Sequence, residues 1–174
     1  STVFKNVSRY NPTQKDWMYY NGIKWIADTE GMKAKRNAKK LADAILSYAV
    51  SVSELDEKQR ENYLKYASRL MNYRDRNTMV NDAKDLNFFE NTELDKDDLL
   101  LNLKNCVLDL SGDMPKVLEH NADLLLSKCC NASYDPQATC KLWEKTINEI
   151  MEGNEEKIRY LQKILGLCLT GITA

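Results

Sequence analysis

Residues 99–118 read LLLNLKNCVLDLSGDMPKVL, a stretch in which short apolar runs alternate with turn-forming residues. Two short apolar runs, 99–103 and 106–110, predict a pair of antiparallel strands. Ser111-Gly112-Asp113 is made of residues that favour turns and would lead the chain back into a third segment. That segment contains Pro115, which lacks a backbone N–H and is therefore expected at the edge of a sheet. A small antiparallel β element is predicted near 99–118.

The first 30 residues are aromatic and contain a second turn signal. Asn21-Gly22 separates two apolar, aromatic runs that include Trp17 and Trp25. Asparagine and glycine both tolerate positive φ, so this pattern predicts a β-hairpin. We therefore divide the chain into an N-terminal aromatic hairpin segment, 1–30, and a helical domain, 31–174.

Helical periodicity dominates the rest of the chain. From about Met32 onward, apolar residues recur at helical spacing along a stripe of Leu41, Ile45, Tyr48 and Val52. Ser53 is predicted to cap the next helix because acidic residues follow it. Residues 90–98 are predicted to form a polar, acidic loop. The β element and the hairpin, set among these helices, predict a mainly α-helical α+β fold.

Two more helices are predicted near the end of the chain. Asp135-Pro136 favours a helix start because aspartate caps free amides and proline suits the first helical position. Gly153-Asn154 is predicted to end that helix and to begin another, with Gly171 as its stop.

Length, composition and net charge limit the functions that this chain can have. The chain has 174 residues, 43% of them hydrophobic, which suits one soluble domain with or without a small appendage. Its net charge is −1, so any affinity for nucleic acid must come from a local patch. Five cysteines without disulfide-type spacing predict reduced thiols and a cytoplasmic protein, and we expect no membrane span. The first residue, Ser1, and the abrupt finish at Ala174 suggest a piece of a longer polypeptide.

Three patterns that could carry chemistry have simpler interpretations. Gly166 and Gly171 have the spacing of a phosphate-binding loop, but the lysine that meets the phosphates is absent, so no nucleotide site is expected. Asp95-Lys96-Asp97 could supply paired carboxylates to metal ions, although a solvated acidic loop is the favoured interpretation. Zinc-type ligands lack the Cys-x-x-Cys spacing of a structural zinc site, so buried free cysteines and a surface histidine are the favoured interpretation; the residues are His120, Cys129, Cys130 and Cys140.

Two groups of basic residues are candidate DNA contacts. The first is the densest cluster of cations in the chain, Lys33, Lys35, Arg36, Lys39 and Lys40. One helix face carrying them could grip phosphates, or could be the solvated back of a core helix, which we favour. The second group mixes arginine with aromatic residues, as single-strand binders do, and comprises Arg69, Arg74 and Arg76 beside Tyr73. Core or subunit packing is its competing interpretation.

From Leu99 onward the motifs resemble the domain that precedes the superfamily-three helicase in phage, plasmid and poxvirus-type primase-helicases. LNLKNCVLDL at 101–110, followed by SGD, resembles the asparagine-rich hairpin of that family. The remaining matches follow in order and are HNAD at 120–123, YDPQA at 134–138, Trp143, Gly153 and the stretch 161–171. A weaker match lies around 17–28, where an aromatic-Asn-Gly-Ile-Lys-Trp-Ile pattern also fits, and the helices between carry none. Cys106 and Ala122 stand where the family usually has glycine and proline.

The resemblance implies a non-catalytic, helicase-associated domain that supports ring assembly and DNA replication. Its partners would be the adjacent helicase and primase domains of the same polypeptide, with DNA and further subunits of a hexameric ring. ATP and Mg²⁺ would bind only in the helicase motor, and the parent protein would be an ATP-dependent DNA helicase and primase. The competing hypothesis is a stand-alone DNA-binding module that uses a basic helix face.

Overall fold

The structure, a computed structural model, describes residues 6–90 and 92–172. The chain forms two compact units, one made of Ser1–Asn21 and Trp25–Leu94 and the other of Gly22–Lys24 and Asp95–Ala174. The described residues contain five α-helices and six short strands, which confirms the predicted mainly helical α+β class. The sequence-based division at residue 30 concerns domains rather than compact units and stays a prediction.

A three-stranded antiparallel sheet opens the first unit. Its strands are β1 (Ser8–Asn11), β2 (Asp16–Tyr20) and β3 (Trp25–Asp28), in that order across the sheet. The predicted hairpin is confirmed, because Asn21-Gly22 lies between β2 and β3 and Gly22 adopts a φ of 98°. The first strand was not predicted from the sequence.

Three helices complete the first unit, namely α1 (Met32–Ser51), α2 (Glu57–Met71) and α3 (Tyr73–Asp82). The predicted start near Met32 is confirmed. The buried face of α1 consists of alanines rather than the predicted larger residues, and its members are Ala34, Ala38, Ala42 and Ala49. Small side chains let the neighbouring helices approach closely, and Ala34 and Ala38 pack with Trp17 and Val80.

The predicted cap at Ser53 is wrong. The N-cap of α2 is Asp56, whose carboxylate accepts a hydrogen bond from the Gln59 backbone N–H at 2.7 Å. The Gln59 side chain accepts in return from the Asp56 backbone N–H. This reciprocal capping box satisfies two amides at once, so the helix starts after Asp56 rather than after Ser53.

An aromatic cluster holds the end of the first unit against the sheet. Trp25 is 1% exposed, and its ring meets that of Phe89 edge to face with centroids 5.0 Å apart. The Phe89 backbone N–H donates to the Tyr10 carbonyl, which ties this segment to β1. The Arg9 guanidinium lies 5.3 Å from the Phe89 ring centroid and 3.9 Å from a Glu93 carboxylate oxygen.

The predicted β element of 99–118 is confirmed in the second unit. Its strands are β4 (Leu100–Asn102), β5 (Val107–Asp109) and β6 (Lys116–Leu118), all antiparallel, with β6 at an edge. The strand that follows Pro115 is thus an edge strand, as expected. In the turn after β5, hydrogen bonds from the Ser111 hydroxyl and backbone N–H lower the pKa of Asp109.

Asparagine side chains fasten the loops around this sheet. The Asn102 amide donates to the carbonyls of Ile23 and Lys128, at 3.1 and 2.8 Å. Asn105 exchanges two hydrogen bonds with the backbone of Tyr134, donating at 2.8 Å and accepting at 2.9 Å. The asparagine side chains of this hairpin therefore hold neighbouring loops to the sheet of the second unit.

The last two helices are α4 (Lys141–Ile150) and α5 (Glu155–Leu167). The predicted start of α4 at Asp135-Pro136 is wrong. The Asp135 carboxylate accepts from the Gln137 N–H and its carbonyl accepts from the Ala138 N–H, which closes a single turn. The break at Gly153 is confirmed, with Asn154 as the N-cap of α5, but α5 ends at Leu167, before Gly171.

Candidate nucleic-acid interface

A buried carboxylate fixes the start of α1, the helix that carries the first basic cluster. Asp28 is 2% exposed, and its two oxygens accept hydrogen bonds from the backbone N–H groups of Lys33 and Ala34, at 2.8 and 2.9 Å. Gly31 supplies the left-handed conformation, with a φ of 64°, that turns the chain into the helix. The orientation of the first two turns of α1 is therefore set by Asp28 and Gly31, which are both buried.

The buried alanines of α1 determine where its cations lie. At 100° per residue, Arg36 and Lys40 fall opposite the face of Ala34, Ala38 and Ala42. Four of the five cations are exposed and Lys35 is half-buried. We call this surface the α1 basic face, and it consists of Lys33, Lys35, Arg36, Lys39 and Lys40.

Helix stability does not explain why cations are placed near the N-terminus of α1. The N-terminus of a helix carries a partial positive charge and favours acidic side chains. The first turn of α1, all of it within the described chain, holds no acidic residue, and the five cations occupy positions 33–40 instead. The backbone N–H groups of Lys33 and Ala34 at this terminus already donate to the Asp28 carboxylate, so an anion at the α1 basic face would be attracted by the cationic side chains and not by the helix terminus.

An aromatic side chain from the sheet joins the α1 basic face. The Lys33 ammonium lies 5.0 Å from the centroid of the Tyr19 ring, a cation–π contact. Tyr19 lies on β2 and is half-buried. An aromatic ring among cations is the combination on which single-stranded bases stack. Tyr19 could not be predicted as part of this site from the sequence, because only the folded sheet brings it to α1.

The second basic group is placed differently. Arg69 and Arg74 are exposed, and Arg69 lines a cavity together with the inward alanines of α1. The Arg76 guanidinium donates to the carbonyls of Leu70 and Met71, so it caps the C-terminal end of α2. Arg36 and Lys40 lie on the opposite side of α1 from Ala34 and Ala38, which line this cavity. The structure therefore does not bring the two basic groups onto one surface.

The paired acids at 95–97 organise a loop. The Asp95 carboxylate accepts hydrogen bonds from the Ser127 backbone N–H, at 2.7 Å, and from the Ser127 hydroxyl. An Asp97 carboxylate oxygen accepts from the Leu99 backbone N–H at 3.0 Å. Across the described residues, no three His, Cys, Asp or Glu side chains are grouped so that they could hold a metal ion. Both carboxylates thus have structural partners.

The zinc-type ligands are dispersed. His120 Nε2 lies 2.8 Å from the Leu103 carbonyl, which requires that nitrogen to carry the proton and donate. Cys129 is half-buried with its thiol directed to the Cys130 carbonyl, while Cys130 and Cys140 are exposed, so the prediction that these cysteines are buried is wrong. Nε2 of this histidine is thus occupied by a backbone contact.

Gly166 and Gly171 have different environments, and neither is part of a phosphate-binding loop. Gly166 lies within α5 with open space where a Cβ would stand. The Gly171 N–H donates to the Asp98 carbonyl at 2.7 Å, and a Cβ at Gly171 would lie 3.2 Å from the Asp98 Cα. Gly171 is therefore required for close packing of the chain against residue 98.

Gly171→Ala is expected to lower the free energy of unfolding by about 1–3 kcal/mol, because the added methyl group overpacks the contact with Asp98. Gly166→Ala is the matched control and is expected to raise it by about 0.5–1 kcal/mol, since alanine is the better helix former. Urea unfolding followed by circular dichroism measures both. Equal effects of the two substitutions would contradict the packing role of Gly171.

The family model described as D5 N terminal like matches residues 3–152. The chain belongs to this family. The D5 N-terminal-like domain is the one found ahead of superfamily-three helicases in primase-helicases, so the resemblance noted in the sequence is confirmed. No curated protein matches the chain.

The family match covers parts of the chain where the sequence motifs were weak or absent. The D5 N-terminal-like region includes the hairpin, where the resemblance was weaker, and all three helices of the first unit, where the motifs gave no support. It ends at residue 152, so the resemblance of 161–171 lies outside it. The α1 basic face therefore lies within the family domain, and α5 follows it. None of the helices in the described residues is both long and apolar enough to cross a membrane.

Proposed function

We propose that this chain is a non-catalytic accessory domain of a primase-helicase that binds DNA at the α1 basic face and supports ring assembly through α4 and α5. Membership of the D5 N-terminal-like family carries the proposal. The parent protein would be an ATP-dependent DNA helicase and primase of a phage or plasmid, at work in the host cytoplasm. ATP and Mg²⁺ would bind in its motor, because the carboxylates and glycines here have structural roles.

The proposed DNA contact is supported by a local concentration of positive charge on α1, which the net charge of the chain does not reveal. The chain as a whole carries a net charge of −1, whereas the α1 basic face gathers five cations within eight positions. Binding through such a face would involve phosphates, and it would therefore be sensitive to salt and indifferent to sequence. Tyr19 would add stacking to unpaired bases.

Fluorescence anisotropy with labelled single-stranded and double-stranded oligonucleotides tests this part of the proposal. We expect binding at low salt that weakens steeply as salt is added, with tighter binding of the single strand. Absence of binding to either oligonucleotide at low salt would contradict the DNA contact.

The assembly role is supported by apolar side chains that this chain leaves uncovered. In α4 the exposed fractions of Leu142, Trp143 and Ile150 are 77%, 51% and 65%. Three exposed apolar residues of α5 add to them, namely Ile164, Leu165 and Leu167. No side chain of either helix, both of which lie wholly within the described chain, is buried. Exposed apolar side chains concentrated on two helices favour an interaction site there.

Replacing Leu142, Trp143 and Ile150 with glutamine is expected to abolish self-association while leaving the free energy of unfolding within about 0.5 kcal/mol of the wild-type value. The reason is that these side chains already face solvent in the single chain. Sedimentation velocity over a range of micromolar concentrations measures association, and urea unfolding measures stability. We expect reversible self-association of the wild-type chain.

The control replaces three other exposed apolar residues with glutamine, namely Val50, Met114 and Val117. We expect its self-association to match that of the wild-type chain. A wild-type chain that stays monomeric throughout, or an equal loss in both variants, would contradict the assembly role. In the first case, DNA binding alone would favour the second candidate, a stand-alone DNA-binding module that uses the α1 basic face.

A further inference from the structure

A second exposed surface lies where α2 meets α3. It carries two tyrosines and two arginines, and we call it the α2–α3 corner; its members are Tyr66, Arg69, Tyr73 and Arg74. All four side chains are exposed, Tyr66 by 49% and Tyr73 by 65%. The sequence left core packing open as the reason for aromatic residues here, and these exposures exclude it.

Hydrogen bonds on both sides of the turn fix the corner. The Asn72 backbone N–H donates to the Arg69 carbonyl at 3.0 Å, and the Asn72 side chain accepts from the Arg74 backbone N–H. The Arg76 guanidinium donates to the carbonyls of the last two residues of α2. Tyr66 and Arg69 lie one turn apart on α2 and line the same cavity. The two helix ends therefore hold the four side chains in one place.

The tyrosine rings of the corner have no ring partner in the part of the chain that the structure describes. Two neighbouring exposed tyrosines are different, because the rings of Tyr48 and Tyr63 meet edge to face with centroids 5.4 Å apart. Neither Tyr66 nor Tyr73 contacts another aromatic ring or a cation there. Their ring faces are thus available to a flat group from outside.

The guanidinium groups of Arg69 and Arg74 also lack partners within residues 6–90 and 92–172. Neither takes part in an ion pair or donates a hydrogen bond. Other arginines of the first unit are engaged, since Arg9 lies near a carboxylate and Arg60 donates to a backbone carbonyl. The one acid among residues 66–76 is Asp75, which is half-buried, so the corner is locally positive.

Exposed rings beside unpaired guanidinium groups suit an unpaired polynucleotide strand. Its bases can stack on aromatic side chains, and its phosphates accept hydrogen bonds from arginine. The bases of a duplex are already stacked on one another, so a duplex would make no use of the rings. The chemistry of the corner therefore favours one strand over two.

We infer that the α2–α3 corner binds a single-stranded polynucleotide, with bases stacked on Tyr66 and Tyr73 and phosphates held by Arg69 and Arg74. The inference goes beyond the proposed DNA contact, because the corner and the α1 basic face are separate surfaces. The α1 basic face would hold phosphates of one strand or of two, whereas the corner selects unpaired bases.

Tyr73→Ala combined with Arg74→Ala tests the corner, with fluorescence anisotropy on a labelled oligothymidylate and a labelled duplex. We expect the affinity for the single strand to fall about fivefold or more, because loss of one stacked base alone has an effect of that size. Duplex affinity should be unchanged. The matched control is Arg159→Ala with Tyr160→Ala, an adjacent pair of the same residue types on α5, where Tyr160 is 67% exposed. It should bind both oligonucleotides as the wild type does.

Photocrosslinking locates the contact on the unaltered protein. An oligothymidylate that carries 5-iodouracil is irradiated with the wild-type chain, and the modified residues are identified by mass spectrometry. We expect adducts on Tyr66 or Tyr73. Adducts confined to other surfaces would overturn the inference.

Tyr66→Ala combined with Arg69→Ala serves as a second variant if the first fails to fold by circular dichroism. Wild-type affinity for the single strand in a folded corner variant, or an equal loss in the α5 control, would also overturn the inference. Failure of the proposed α1 contact gives a different result. Charge reversal of the α1 basic face would then leave affinity unchanged while the corner variant loses it, which supports the corner and contradicts that contact.

Discussion

Trp25→Ala is expected to lower the free energy of unfolding of the first unit by about 3–5 kcal/mol, the largest effect of any single substitution considered for this chain. Trp25 is almost fully buried and packs edge to face against Phe89, with the Arg9 guanidinium over both rings. Alanine would leave a cavity too large for its surroundings to fill, and would remove a partner of the segment that follows α3.

Trp143→Ala provides a matched control, because the Trp143 ring is half exposed on α4. The same change of side chain is expected there to alter stability by no more than about 0.5 kcal/mol. Urea unfolding followed by circular dichroism, with thermal unfolding as a second measurement, compares the two. A larger loss in Trp143→Ala than in Trp25→Ala would mean that the aromatic cluster is not the core of the first unit.

Reversing four charges of the α1 basic face is expected to weaken single-stranded DNA binding by about tenfold or more at low salt. The variant changes Lys35, Arg36, Lys39 and Lys40 to glutamate. Loss of four phosphate contacts should also reduce the slope of log K against log salt concentration by about 3, since each contact to a single strand contributes about 0.7. Anisotropy titrations at several salt concentrations measure both quantities.

A control variant is needed to show whether DNA affinity depends on the α1 basic face or on the net charge of the chain. Reversing four exposed lysines spread over the chain, Lys58, Lys96, Lys104 and Lys141, changes the net charge by the same amount. We expect this variant to keep most of the wild-type affinity and the wild-type slope. If the two variants lose affinity equally, DNA binding depends on overall charge and the α1 basic face has no special role.

The sequence correctly predicted those elements of the fold that are determined by residues close together in the chain. The hairpin at Asn21-Gly22 and the strands of 99–118 follow from turn residues flanked by apolar runs, and both are present. The start of α1 near Met32 is also present. In each case the residues that cause the element lie within it or a few positions before it, as Asp28 and Gly31 do for α1, so the local sequence signals the element.

Two predicted helix starts are wrong because residue type alone does not determine which capping arrangement forms. Ser53 is a good cap by type, but Asp56 with Gln59 satisfies two amides instead of one. Asp135 does cap amides, as predicted, yet it closes one turn and the helix begins only at Lys141. Residue type indicates which side chains can cap, and the surrounding structure decides where the helix begins.

The candidate sites depend on contacts between distant residues, which periodicity does not report. Asp95 is held by Ser127, and Tyr19 lies beside Lys33, in both cases across a long stretch of chain. The exposure of Tyr73 is likewise decided by tertiary packing, so the sequence left core packing and DNA contact open as alternatives. The α1 basic face itself was predicted because one helix carries all five of its cations.

The central claim is that this domain acts by contact with DNA at the α1 basic face while the chemistry belongs to a neighbouring domain. Nuclear magnetic resonance mapping of the ¹⁵N-labelled chain with a short single-stranded oligonucleotide tests that claim without altering the protein. We predict that the shifted signals include those of residues 33–40 and of Tyr19. Shifts confined to other surfaces, with these signals unmoved at saturation, would contradict the claim.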